Sequence, residues 1–251
     1  MQARVGTSGF SYKEWKGSFY PEKLPAKDML GYYAEQLSTV EINNTFYRMP
    51  KASVLEGWAL KVPEDFRFSI KASRRITHNK RLVEVEDDTA YLLSQLEALG
   101  RHLGVVLFQL PPHLKADLDR LSRFLDLLPV QLRCAFEFRH PSWLEADTAA
   151  LLYGRGATVC IADSDTEPAQ ALDSAAPFVY VRLRRSDYSG ADLAEWALRL
   201  RAVSGSEAFV FFKHEAQGPG FAAELQALVA EAQMASVRPA VAGSARSGDA
   251  G

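Results

Sequence analysis

Val105-Val-Leu-Phe-Gln-Leu110 decides how this chain folds. Five of its six residues are apolar, with no polar residue on alternate positions until Gln109. A strand with one wet face alternates apolar and polar side chains. A run this uniformly apolar belongs to a strand covered on both faces, as in a parallel sheet flanked by helices. Phe178-Val-Tyr-Val-Arg-Leu183 reads the same way, again with a single polar residue near its end.

Working outward from these two, further strand-like runs fall at Arg4–Gly6, Thr39–Asn43, Phe66–Lys71, Cys134–Phe138, Thr158–Ala162 and Ala208–Lys213. Stretches of helical period lie between them: Lys27–Leu37, Ser53–Lys61, Asp88–Leu99, Asp117–Leu128, Trp143–Tyr153, Ala191–Val203 and Phe221–Gln233. The fourth is the clearest, with Leu118, Leu121, Phe124, Leu125 and Leu128 on one face and Pro129 after it. Ser164–Ala176 is too rich in Ala, Pro and Asp for a full helix and is expected to be a loop.

Eight strands nearly all separated by helices form βαβ units, and no phosphate-binding glycine fingerprint marks an open dinucleotide-binding sheet. The expected fold is therefore an α/β (β/α)₈ barrel in a single domain, residues 1–234. Residues 235–251 lose all periodicity and are expected to form a disordered tail. A length of 251 residues suits one such barrel.

Composition narrows the class. With 47% apolar and 24% charged residues the chain is an ordinary globular protein, and a net charge of −2 argues against general polyanion binding. Cys134 and Cys160 sit in apolar runs and read as buried thiols. MQARVGTSGF lacks the apolar core of a signal peptide, and no stretch is long enough to cross a bilayer, so a cytoplasmic location is expected.

In such a barrel, chemistry gathers at the carboxyl ends of the strands. Thr7 and Ser8 stand there on the first strand, Glu41 and Asn43 on the second, and Lys71 on the third. Gln109, Glu137 with Arg139, Asp163 and Arg182 follow on the fourth to seventh, and Lys213-His214-Glu215 on the eighth. Period-two alternation puts Glu41 and Asn43 on one strand face and Glu137 and Arg139 on another, with the apolar residues between them facing the helices. The loop Lys71–Arg81 adds five basic residues and His78 without an acid. It forms a rim over Arg74–Arg81 suited to anions or nucleic acid. Aromatic residues (Phe10, Tyr12, Trp15, Phe46, Tyr47) cluster in the first two loops and are expected mainly to pack them down.

The segments GTSGFSYKEWKGSFYP, VEINNTFYRMP, FRFSIKASRRITHNKRL, LFQLPP, FEFRHPSW, ADS and YVRL, in this order, resemble the family called domain of unknown function 72 (YecE-like). The resemblance implies a (β/α)₈ barrel and no established activity. It also implies that the family's recurrent polar positions correspond here to Thr7, Ser8, Glu41, Asn43, Lys71, Thr77, His78, Gln109, Glu137, Arg139, Asp163 and Arg182. The chain departs from the family pattern late, reading RLRRSDYSG after the seventh strand and FKHEAQGPG after the eighth. Arg184, Arg185, Lys213, His214 and Glu215 are therefore not matched to family positions.

Glu41, Glu137, Asp163, His214 and Glu215 could ligate a divalent metal. Lys71, Arg139, Arg182 and Lys213 at the same level already neutralise them, however, and no HxxxH or HExxH spacing occurs. No metal or other cofactor is expected. The favoured reading is an enzyme of acid/base or phosphoester hydrolase type with a small anionic or phosphorylated substrate, a nucleotide-like one among the options. Glu41, Glu137 and Asp163 would serve as acid/base groups. Thr7, Ser8, Asn43, Lys71, Thr77, His78, Gln109, Arg139 and Arg182 would hold the substrate. Imine chemistry at Lys71 is weighed below this, because nothing in the sequence indicates the depressed pKa it requires. The alternative is a non-catalytic nucleic-acid-binding protein using the Arg74–Arg81 rim. A monomer or small homo-oligomer is expected.

Overall fold

The computed structural model describes residues 2–203, 207–213 and 216–237. Its centre is a closed barrel of eight parallel strands in sequential order. These are β1 (Ala3–Ser8), β2 (Thr39–Ile42), β3 (Arg67–Lys71), β4 (Leu103–Gln109), β5 (Cys134–Glu137), β6 (Thr158–Ala162), β7 (Val179–Leu183) and β8 (Ala208–Phe212). Closure is made by β8 pairing with β1, with Val5 opposite Val210 and Thr7 opposite Phe212. Among the described residues seven α-helices surround it: α1 (Met29–Gln36), α2 (Ala52–Ala59), α3 (Glu86–Leu96), α4 (Leu118–Leu125), α5 (Ala146–Tyr153), α6 (Gly190–Ala202) and α7 (Gly218–Val237). Among the described residues no helix joins β6 to β7, and the segment runs as the expected loop.

Local chemistry explains the helix ends. Asp117 caps α4 by accepting from the Arg120 amide at 2.9 Å. Ser189 and Asp192 cap α6 reciprocally, which satisfies two of the amide donors a helix start leaves open. The last helix takes in Ala235–Val237, three residues that sequence reading assigns to the tail. The rest of that tail, like His214 and Glu215, lies outside the described residues.

Strand alternation divides the core in two. Val5, Val40, Phe68, Ile70, Val106, Phe108, Phe136, Val181 and Val210 point outward and pack under the helices. Val105, Leu107, Ala135, Cys160, Phe178, Tyr180, Phe209 and Phe211 fill the barrel interior. β4 therefore feeds apolar side chains to both layers, which is why its sequence is uniformly hydrophobic. Both cysteines are buried and unpaired.

At the amino end of the strands a cavity of about 610 Å³ lies among Arg4, Arg67, Arg133 and Glu207. Glu207 binds Arg4 at 2.5 Å and also pairs with Arg133. These ties close the floor of the barrel, the end that in this fold serves stability. Among the described residues no helix is long and apolar enough to cross a membrane.

Candidate functional site at the carboxyl end of the barrel

The last inward-facing residues of the strands meet in one hydrogen-bonded network. Arg182, on β7, lies at its centre and is 2% exposed. Its Nη2 donates to Glu41 Oε1 on β2 at 2.9 Å, and its Nη1 to Glu137 Oε2 on β5 at 2.5 Å. Glu41, fully buried, also accepts from Ser8 Oγ at 2.8 Å, Asn43 Nδ2 at 2.9 Å and Tyr180 OH at 2.8 Å. Glu137 also accepts from Gln109 Nε2 at 2.8 Å and Arg184 Nη1 at 3.1 Å, and Arg139 Nε stands 3.4 Å away. On the far side of Gln109, its Oε1 accepts from Lys71 Nζ at 2.9 Å. Lys71, Gln109, Glu137, Arg182, Glu41 and Ser8 thus form one unbroken chain across the mouth.

Burying two carboxylates costs several kcal/mol each unless partners replace the lost water. Here the partners outweigh that cost. Burial alone would raise the Glu41 carboxyl, but Arg182 and the bonds from Tyr180, Ser8 and Asn43 hold it below its ordinary value. Burial opposes ionisation of Glu137 as well, yet Arg182, Arg184 and Arg139 bring its pKa down to about 2. Both groups are fixed anions at neutral pH, which suits positioning and disfavours the role of proton shuttles.

Two groups at the mouth titrate at unusual values. Burial, with Arg182 next, lowers Lys71 to about 8. Burial, then Lys71 and Arg139, lowers His78 to about 4, so its imidazole is neutral. The loop after β3 sets this geometry. A wide π-type turn over Arg75–Asn79 buries Ile76 and Thr77, and Thr77 Oγ1 lies 2.9 Å from His78 Nδ1. The His78 ring then stands edge-on to Phe46, 4.9 Å between centroids, and Lys71 Nζ rests 4.1 Å above the same Phe46 ring. Arg81 and Leu82 close the loop in the left-handed region, at φ 52° and 66°. Non-glycine residues adopt that conformation only where surrounding packing enforces it, and buried Leu82 supplies the packing.

Of the residues singled out from sequence, Ser8, Glu41, Asn43, Lys71, Gln109, Glu137, Arg139 and Arg182 come together at the mouth. His78 joins them at the rim. Three do not. Thr7 points outward: its amide and Oγ1 both meet Tyr33 OH, at 2.9 Å, behind the sheet. Asp163 falls on the outer parity of its strand and accepts from Tyr188 OH and the Arg184 amide, each at 2.7 Å. Thr77 is fully buried beneath His78 and reaches nothing in the mouth directly. Asp163 touches the network only through Arg184, whose amide it holds.

Tyr180 and Arg184 were not assigned to the site from sequence. Both were accessible by the same period-two rule, since they flank Arg182 at spacing two on its face. A cavity of about 580 Å³ opens beside the network, lined by Glu137, Arg139, His140, Cys160, Thr166 and Arg184. Among the described residues, no three His, Cys, Asp or Glu side chains stand together as a metal-binding group.

Fold and site together define a (β/α)₈ barrel with a buried Glu–Arg–Glu core at its carboxyl-end mouth. The chain belongs to the family described as protein of unknown function DUF72, whose model matches residues 4–244. It is similar to the UPF0759 protein YecE of Escherichia coli O157:H7, 32% identical over 138 residues, which make up 53% of this chain and 51% of that protein. It is also similar to the UPF0759 protein YunF of Bacillus subtilis (strain 168), 30% identical over 148 residues, 55% of this chain and 51% of that protein. The chain thus matches about half the length of these curated relatives. Among solved structures, a DUF72 family protein from Thermotoga maritima MSB8 superposes with a TM-score of 0.81 at 26% identity, covering 92% of this chain and 100% of that one. A DUF72 family protein from Enterococcus faecalis V583 gives 0.72 at 19% identity, covering 93% and 98%, and so speaks for the fold alone.

Proposed function

We propose that the mouth is the active site of an enzyme acting on a small anionic substrate bearing a phosphate or carboxylate group. One observation carries this reading. Among the described residues, five cationic side chains (Lys71, Arg139, Arg182, Arg184, Lys213) converge at the mouth on two carboxylates, Glu41 and Glu137, beside a cavity of about 580 Å³. The excess of cations over anions among these seven side chains favours an anionic ligand, and the cavity has the volume of a small-molecule site. Arg182 Nε is buried without a hydrogen-bond partner among the described residues, so a donor remains unspent at the floor. Carboxyl strand ends are where barrels of this type carry their active sites.

Arg139 and Arg184 are the guanidiniums open to the cavity and suit two-point contact with a phosphate or carboxylate. Titration of inorganic phosphate and glycerol phosphate into the full chain at low ionic strength tests this reading. Arg139→Gln and Arg184→Gln are each expected to weaken binding about tenfold, the worth of one charged hydrogen bond. Affinity unchanged in both variants would remove the reading.

Nucleic-acid binding by the rim receives less support. Arg75 and Lys80 both pair with Asp88, at 2.5 and 2.9 Å. That leaves Arg74 and Arg81 as the rim's exposed arginines without such a partner, too few for a phosphate-tracking surface.

A further inference from the structure

We propose that Lys71 is the reactive amine of this mouth, forming an imine with a small aldehyde or ketone that also carries a phosphate or carboxylate. The inference deepens the anion-site reading and rests on it for the second half of the substrate class.

The geometry is unusual for a lysine kept only for its charge. Lys71 is the last residue of β3 and projects into the mouth, half-buried. Among the described residues no carboxylate oxygen lies within 4.0 Å of its Nζ, although Glu41 and Glu137 stand nearby. Those two carboxylates are committed to arginines. Nζ has instead one neutral acceptor, Gln109 Oε1 at 2.9 Å, and the face of Phe46 at 4.1 Å. A lysine beside other cations and out of water favours its neutral form, the condition that makes an amine nucleophilic. The charged groups facing it are Glu41 from β2, Glu137 from β5, Arg139 just beyond that strand and Arg182 from β7, with neutral His78 on its own loop. Burial is the largest cause of the shift, Arg182 and Arg139 act with it and Glu41 and Glu137 against it, giving a pKa of about 8. About a tenth of the amine is then free at pH 7, some three-hundredfold more than for an ordinary lysine.

The chemistry balances without an oxidant or reductant. The neutral Nζ adds to the carbonyl carbon, and the carbonyl π pair moves to oxygen, which takes up a proton while nitrogen gives one up. The carbinolamine then loses water to leave the C=N bond, and hydrolysis returns the amine. Arg139 and Arg184, open to the cavity beside Glu137, are the anchors for the anionic end. His78, held neutral with its Nδ1 at Thr77 Oγ1, packs on the same Phe46 ring as the amine and adds no charge beside it.

Pyridoxal 5′-phosphate, an aldehyde that carries a phosphate, is a direct probe. The full chain is incubated with it, reduced with borohydride, and the modified lysines are identified by peptide mass spectrometry. Lys71 is expected to label at least about tenfold faster than any other lysine, with a rate that rises through about pH 8. Lys71→Arg should lose the label, and pyridoxal, which lacks the phosphate, should react about tenfold more slowly. Labelling spread over surface lysines with Lys71 no faster would overturn the proposal. Two mixed outcomes separate the inference from the reading beneath it. If the probe binds and inorganic phosphate displaces it while Lys71 stays unmodified, the imine is wrong and the anion site stands. If Lys71 reacts equally with pyridoxal and its phosphate and inorganic phosphate does not compete, the anion site and with it the substrate class are wrong.

Discussion

Glu41 and Glu137 stand three strands apart in the barrel and are joined by a single guanidinium, that of Arg182, at 2.9 and 2.5 Å. Arg182 is the strongest single influence holding each of these buried carboxylates ionised. The arrangement makes one arginine the keystone of the mouth and frees Lys71 from any carboxylate partner.

Arg182→Leu should therefore be among the most damaging substitutions in the chain. It leaves two buried carboxylates short of their main counter-charge, a change worth about 3–5 kcal/mol. Urea unfolding at pH 7 measures it. Adding Glu41→Gln and Glu137→Gln to the same chain should restore much of the loss, because the uncompensated charges go with it. A cost below about 1 kcal/mol for Arg182→Leu would mean that water reaches the carboxylates.

Stability should depend on pH at both ends of the scale. Glu137 has its pKa lowered from 4.5 to about 2 by the arginines. Its contribution, on the order of 3 kcal/mol, is complete above pH 4.5 and disappears as pH falls toward 2. His78 must be neutral in the folded chain, so stability also declines as pH drops from 6.5 through 4. Lys71 acts in the same direction at the alkaline end, because its pKa too is lowered in the folded chain. Its penalty is full below about 8 and is relieved as pH climbs to 10.5, so the folded state gains there. Unfolding midpoints across pH 3–10 check all three, and Glu137→Gln should flatten the curve below pH 4.5.

Thr7 and Ser8 are neighbours in sequence with opposite expected phenotypes. Thr7→Val removes a hydroxyl bonded to Tyr33 behind the sheet and should cost about 1 kcal/mol without touching anion binding. Ser8→Ala takes a donor from Glu41 and should alter binding of phosphate while leaving the outer core intact. Unfolding and phosphate titration, run on both variants, distinguish them. Equal effects of the two on binding would contradict the assigned faces.

Gly6 tolerates no side chain. A Cβ there would sit 1.9 Å from the carbonyl oxygen of Thr39 on the paired strand, closer than any real contact. Gly6→Ala must push β1 and β2 apart at their first paired position. Loss of more than about 3 kcal/mol, or failure to fold, is expected in a thermal melt. A melting temperature within a few degrees of the unsubstituted chain would show that the strands can separate cheaply.

All eight strands, the seven helices and the helix-free β6–β7 crossover could be read from the chain itself. Strand period and uniform burial are local properties, so VVLFQL or FVYVRL carries its environment in its own composition. Period two likewise placed Glu41 and Glu137 on inward faces and Val40 and Phe136 on outer ones. The same rule was available for Tyr180 and Arg184. Thr7 and Asp163 end their strands as the true mouth residues do, but their parity turns them outward, where Tyr33 and Tyr188 receive them. What no local pattern contains is which inward groups meet. That Arg182 takes both carboxylates, and that Lys71 is left with Gln109 and Phe46, depends on barrel closure and on the register between strands far apart in sequence. The pKa values follow from those distances and from the water excluded around them. The sequence determined the cylinder and the ring of charges on its rim, and only tertiary structure decided which charges cancel, because Coulomb energy and desolvation depend on separation in space and not along the chain.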